Sequence, residues 1–191
     1  MQKKSKILIL LLIIIAGCGL RDVENPVDPR SNFVPPTSPD LVITNFQSAI
    51  IERNINNYIS CFVDSNFSTR RFLYTADAAS QSQYQIFRFW NLNNERYYFT
   101  NLSSLTPSQS VSNLLLSNIV FSPSSDTAVL DADYVIRFEH TKQNVPKIFQ
   151  GKFRFIMASD SRNLWSVHSW TDFKKTDQDT TWSVLKANFS N

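Results

Sequence analysis

Glycine is nearly missing from this chain: three among 191 residues, at Gly17, Gly19 and Gly151. A phosphate-cradling loop needs clustered glycines so that backbone can approach the ligand, so nucleotide chemistry of the P-loop or dinucleotide type is excluded. Histidine is equally scarce. His140 and His168 stand 28 positions apart, with no H-E-x-x-H motif and no cysteine pair. A zinc site has almost no ligands to draw on, and no metal or other cofactor is expected. Apolar runs are short too: the longest, Ile7 to Ile15, falls well below the roughly 20 residues that span a bilayer as a helix.

What precedes and follows that run gives it a meaning. Lys3, Lys4 and Lys6 form a positive n-region, the run is the apolar h-region, and Ala16-Gly17-Cys18 supplies small residues before a cut. This is the pattern of an export signal. Ile15-Ala16-Gly17-Cys18 resembles the lipobox of bacterial lipoproteins, which implies cleavage before Cys18 and a lipidated Cys18 thiol that anchors the protein to a membrane. In that reading the signal peptide is 1–17. Gly19, with no aspartate after the cysteine, resembles the outer-membrane sorting context of enterobacterial lipoproteins, so a lipid-anchored position in the cell envelope is expected, at the outer rather than the inner membrane.

Removing the signal also removes the charge excess. The chain carries 19 basic and 16 acidic residues; without Lys3, Lys4 and Lys6 the two signs balance. A nucleic-acid partner, which needs a basic surface to neutralise phosphates, is not expected. With Cys18 acylated, Cys61 has no partner for a disulfide. It sits beside Ile59, Phe62 and Val63 in an apolar helical pattern, where burial raises a thiol pKa, so packing explains it better than nucleophilic chemistry.

Residues 18–39 hold five of the eight prolines (Pro26, Pro29, Pro35, Pro36, Pro39), a composition of extended chain at about 3.1 Å per residue. They read as a tether of up to roughly 60 Å, with one folded domain over 40–191. Ser38-Pro39-Asp40 is a helix-start signal. Val42, Phe46, Ala49 and Ile50 form one apolar face behind it, and Asn54 is placed to cap a second short helix carrying Ile55, Tyr58, Ile59 and Phe62. A strand is predicted at 71–75, a polar loop through 76–84, and a helix over 90–102 that ends before Pro107, with Trp90, Asn94, Tyr97 or Tyr98, and Asn101 or Leu102 on one face.

Beyond Pro107 the apolar period becomes two, with strands predicted at 111–122, 127–141, 148–157 and 164–174. In the second of these, Ala128, Leu130, Ala132, Tyr134, Ile136 and Phe138 face inward, while Asp131, Asp133, Arg137 and Glu139 face water. The third alternates in the same way, and Gly151 marks crowding or a bend. The fourth slips phase between Val167 and Trp170, which a bulge near His168-Ser169 repairs. Fifteen Phe, six Tyr and four Trp suit such a strand-rich interior.

This order of elements, an angled helix pair, a strand, a helix and four long antiparallel strands, is similar to the cone-shaped α+β superfamily of nuclear transport factor 2, SnoaL and ketosteroid isomerase. Locally, Pro39-Asp40-Leu41-Val42, Asn45-Phe46, Arg53-Asn54 and Tyr58 resemble the opening of envelope lipoproteins of that superfamily, with Asn54 where an aspartate is usual. Trp165 to Asp172 and Thr181 to Phe189 resemble their end. The resemblance implies the nuclear transport factor 2-like (cystatin-like) fold, with N-terminal helices on a curved antiparallel sheet around a cone.

Two uses of the cone follow. Tyr58, Phe62, Trp90, Tyr134, Phe153 and Trp170 are placed to line a pocket or to fill it, with Asp172 the one acid among aromatic neighbours. The superfamily's proton-abstraction chemistry needs an acid in an apolar pocket near an oxyanion donor such as tyrosine. Since Asp131, Asp133 and Glu139 fall on the wet face, no catalytic residue is assigned. The expected function is a membrane-anchored lipoprotein whose domain binds or assembles without catalysis, its partner a small apolar ligand or an envelope protein. The alternative is an isomerase- or dehydratase-like enzyme using an acid in the cone.

Overall fold

A computed structural model describes residues 32–190 of the chain. The expected signal peptide, Cys18 and most of the expected tether lie outside the described residues. Helix α1 (Pro39–Glu52) starts with proline in its first turn, buries Val42, Phe46, Ala49 and Ile50, and ends on Arg53 in the left-handed region at φ 52°. That left-handed residue makes the corner. Asn54 then accepts a hydrogen bond from the Asn57 amide and caps α2 (Ile55–Ser60), satisfying one of the donors a helix start leaves open.

The chain continues through β1 (Leu73–Thr75), α3 (Ala78–Gln83), a 3-10 turn (Gln85–Phe89) and α4 (Leu92–Ser104). Helix α3 stands where a polar loop is predicted. Asp77 makes the difference, because its carboxylate accepts from the amides of Ala79 and Ser80, and an aspartate N-cap lets the good helix formers after it close a turn. Helix α4 begins two residues later than expected, behind a reciprocal capping box between Asn91 and Asn94. Asn94 is therefore exposed at the cap, and the buried face is Glu95, Tyr98, Phe99 and Leu102.

Four long strands follow: β2 (Asn113–Pro123), β3 (Thr127–Arg137), β4 (Ile148–Ser159) and β5 (Trp165–Phe173). The sheet order is β1-β5-β4-β3-β2, with β1 parallel to β5 and the rest antiparallel. The bulge predicted in the last strand is present: Ile156 pairs with Ser169 but the next residue, Met157, pairs with Val167. His168 is thus the extra residue, and Val167 and Trp170 both point inward. A second bulge, not anticipated, interrupts β2 between Ser117 and Val120, where Asn118 takes a φ of 49°.

The inward face of the sheet carries Ala128, Leu130, Ala132, Tyr134 and Ile136 on β3 and Phe149, Phe153, Phe155 and Met157 on β4. The outward face is tied by ion pairs, Arg154 with Asp131 and Lys175 with Asp133. Gly151 sits where a Cβ would lie 2.6 Å from the Phe173 carbonyl oxygen and 2.7 Å from the Tyr134 hydroxyl, so the crowding expected there is real. The last helix, α5 (Trp182–Phe189), turns back beneath the sheet and buries Trp182, Ser183, Leu185 and Lys186.

Residues 32–38, expected as tether, belong to the domain as an extended strap. The Val34 amide donates to Asn45 Oδ1 at 3.0 Å, Asn45 Nδ2 donates back to the Val34 carbonyl at 2.6 Å, and the Trp165 amide donates to the Pro36 carbonyl at 2.7 Å. A side-chain amide satisfying both polar groups of one backbone residue mimics a strand pairing, and it fixes the strap to α1 and β5.

Candidate functional site

The seven residues expected around the cone converge, and they form two polar nodes joined by stacked aromatics. In the first node, Asp172 on β5 is buried beneath α5. Its Oδ1 accepts from the Tyr134 hydroxyl at 2.8 Å. Its Oδ2 accepts from the Ser183 amide at 2.7 Å and the Ser183 hydroxyl at 2.6 Å. The Tyr134 hydroxyl in turn accepts from the Trp182 amide at 2.6 Å. Two of the open N–H groups at the start of α5 are therefore satisfied by the core, the role a capping side chain plays elsewhere. Burial pushes the Asp172 carboxyl up to about 6 against the lowering effect of these donors. Asp77 extends the node by accepting from the Thr181 hydroxyl at 2.6 Å.

The second node centres on Glu95, a residue that the sequence reading passed over. Its Oε1 accepts from the Tyr58 hydroxyl at 2.6 Å, and its Oε2 accepts from the Trp90 indole at 2.7 Å and the Lys186 ammonium at 2.6 Å. Neither Glu95 nor Lys186 is exposed. The ammonium lies 3.6 Å from the ring centroids of both Tyr74 and Trp170, a cation–π seat that partly replaces lost water. Burial still holds the Lys186 ammonium down to about 8, with Glu95 opposing that shift. A signal for both residues existed. Position 95 shares a helical face with Tyr98, Phe99 and Leu102, and position 186 lies among Trp182, Leu185 and Phe189.

Tyr58, Tyr134, Phe153, Trp170 and Asp172 are at most 2% exposed, Phe62 3% and Trp90 5%. Trp170 packs edge-on against Trp182 at 4.8 Å and against Phe155 at 5.0 Å, and Phe153 lies over Phe155 at 4.2 Å. Tyr58 stacks on Phe99 at 3.9 Å. Helix α5, through Trp182, Ser183 and Lys186, occupies the space between helices and sheet. Cys61 is buried with its thiol pushed well up by desolvation. Among the described residues no cluster of His, Cys, Asp or Glu is grouped to hold a metal.

Open space lies elsewhere. A cleft of about 780 Å³ runs between the strap, the end of α2, the segment entering β1, the start of α4 and the β4–β5 turn. Its floor is apolar, with Phe33, Ile59, Phe62, Phe72, Leu92 and Trp165, and its walls carry Arg70, Arg71, Arg96 and Arg162 against Asp64 and Asp160. Of the seven residues expected around the cone, only Phe62 also borders this cleft. Asp160 is engaged by Arg162 at 2.6 Å and by the amides of Arg162 and Leu164, and Arg162 lies over the Phe67 ring at 3.5 Å. Arg70, Arg71 and Arg96 form no ion pair among the described residues. Arg96 has one long contact, 3.5 Å to Asn56 Oδ1. Burial, then the nearby Arg70 charge, holds His168 below its ordinary value.

No family model matches the sequence. No curated protein matches it either. Solved structures do. A proposed dehydratase of the nuclear transport factor 2-like family from Streptomyces avermitilis superposes with a TM-score of 0.54 at 10% identity, covering 72% of this chain and 93% of that one. A proposed scytalone dehydratase from Novosphingobium aromaticivorans gives 0.53 at 10% identity over 74% and 81%. A nuclear transport factor 2-like superfamily protein from Salmonella enterica serovar Typhimurium gives 0.51 at 10% identity over 72% and 88%. At such identities the likeness speaks for architecture alone, and with the angled helix pair and curved antiparallel-dominated sheet it establishes that residues 32–190 have the nuclear transport factor 2-like α+β fold.

Proposed function

We propose that the chain is a bacterial envelope lipoprotein, anchored through Cys18, whose nuclear transport factor 2-like domain is a non-catalytic binding or assembly module. One observation carries the second half of this reading: both oxygens of Asp172 are bonded by Tyr134 and by the first turn of α5. An acid that must abstract a substrate proton needs a free lone pair facing open space. The cleft beside the strap is bordered by neither Asp172 nor Glu95. The anchoring half rests on the lipobox resemblance and the export signal. Mass spectrometry of membrane-fraction protein is expected to find the N-terminus at an acylated Cys18, and a Cys18→Ala variant that is processed and released normally contradicts it.

A second reading has one observation in its favour. Burial raises the Asp172 carboxyl to about 6 and the residue contacts a tyrosine hydroxyl, and two of the similar structures are proposed dehydratases. Catalysis by that pair requires α5 to withdraw and uncover it. Native-state hydrogen exchange at the Trp182 and Ser183 amides, which donate to Tyr134 and Asp172, separates the two.

A further inference from the structure

We propose that the cleft between the strap and the β4–β5 turn is a binding site for one anionic phospholipid, with its phosphate on Arg70, Arg71 and Arg96 and an acyl chain on the apolar floor. The inference deepens the binding-module reading and rests on it. Three observations carry it, and the first is charge. Arg162 is neutralised in place by Asp160 at 2.6 Å, and Asp64 Oδ1 is turned to the Asn66 amide at 2.9 Å. Arg70, Arg71 and Arg96 line the same cleft and form no ion pair among the described residues. Guanidinium groups lining one space are the donor set that recognises phosphate.

The second observation is the floor. Phe62 and Ile59 are at most 9% exposed, yet they border the cleft together with half-buried Phe72, Leu92 and Trp165. An acidic peptide or a free anion gains little from such a surface. A hydrocarbon chain gains about 25 cal/mol per Å² of apolar area it covers, and about 780 Å³ lies within the usual range for a ligand site.

The third observation is position. Phe33 and Pro36 of the strap form one rim, so the chain enters the domain at the edge of the cleft. Cys18 lies 14 positions before Asn32, a separation that no chain of that length can stretch beyond roughly 50 Å. An anchored domain therefore keeps this rim within reach of a bilayer, at a high effective concentration of lipid.

The test uses the full protein reconstituted in phosphatidylcholine vesicles doped with a photoactivatable-acyl phosphatidic acid. Crosslinking followed by peptide mass spectrometry is expected to place adducts on segments 59–63, 72, 92 and 164–165. Labelling is expected to fall at least tenfold in an Arg70→Gln/Arg71→Gln/Arg96→Gln variant, which changes no buried side chain. It should also fall at least tenfold when the photoactivatable lipid is a phosphatidylcholine. Dihexanoyl phosphatidic acid should compete, and millimolar inorganic phosphate should not. Adducts outside these segments, equal labelling by the neutral lipid, full labelling of the triple variant, or competition by phosphate alone would each overturn the proposal. The adduct pattern reads the cleft whether or not Cys18 is acylated, so failure of the anchoring reading shows separately, in the mass of the N-terminus.

Discussion

The Lys186 ammonium lies 2.6 Å from Glu95 Oε2, with neither side chain exposed to solvent. This pair joins α5 to α4 at the centre of the domain. Two charges brought out of water cost several kcal/mol each, recovered only if the remaining valences are met. Here they are, because Tyr58 and Trp90 complete the carboxylate while Tyr74 and Trp170 cover the ammonium. The arrangement is one way to close a cone with a helix that carries its own plug.

Breaking the pair from one side strands the other charge. Lys186→Met is expected to cost about 3–5 kcal/mol, a large part of the 5–15 kcal/mol typical of a whole domain. Adding Glu95→Gln to the same chain should restore part of that loss. Urea unfolding of the two variants checks it, and an unchanged midpoint for Lys186→Met contradicts a buried, coupled pair.

Stability should depend on pH through Asp172. Its folded value of about 6 stands above the ordinary 3.8, so between those values the native protein holds more protons than the unfolded chain. The contribution is full below about pH 4 and is lost as pH rises through 6, on the order of 3 kcal/mol in all. The lowered carboxylates Asp77, Asp133, Asp160, Asp179 and Glu139 act in the opposite sense, but below about pH 4.5. Depressed His168 also gains stability with rising pH, up to its ordinary 6.5, so the comparison with Asp172→Asn is needed. The difference in melting temperature between wild type and that variant should change between pH 4 and 6.5. A constant difference contradicts the burial of an ionisable Asp172.

Helix α5 should be indispensable. A chain ending at Thr180 loses Trp182 from the aromatic core, worth about 3–5 kcal/mol by itself, and leaves Asp172 and Glu95 without their α5 donors. Thermal unfolding should show a severely destabilised or unfolded product. Melting like the full chain would mean that α5 is an accessory.

Much of this architecture is written in local patterns. The period of two placed the inward residues of β3 and β4, Asn54 announced its helix, and the phase slip between Val167 and Trp170 located the bulge at His168. Each is a short-range signal, set by neighbours within a few residues. The misses are of another kind. Helix α3 depends on one aspartate cap in a polar stretch with no apolar period. Glu95 on α4 and Lys186 on α5 each lie on an apolar helical face, where a charged residue reads as exposed unless its partner 91 residues away is known. The strap reads as tether in the sequence because prolines say extended chain, and extended chain can also dock. The cleft is assembled from five separate segments, so its three unpaired arginines have no common signature in the sequence.

Gly151→Ala tests the tightest contact in the sheet. The new methyl would meet the Phe173 carbonyl at 2.6 Å and the Tyr134 hydroxyl at 2.7 Å. Neither yields without disturbing β5 or the Asp172 node, so a loss of about 1–3 kcal/mol is expected, measured by chemical denaturation. No loss would show that β5 moves freely.

The most direct test of a closed, non-catalytic cone is native-state hydrogen exchange at the amides of Trp182 and Ser183, which donate to Tyr134 and Asp172. If α5 is part of the core, both amides exchange only by global unfolding, with the same free energy and denaturant dependence as the amides of β3 and β4. Exchange at a markedly lower free energy, insensitive to denaturant while β3 and β4 stay protected, would show α5 opening as a lid over Asp172 and would contradict the central claim.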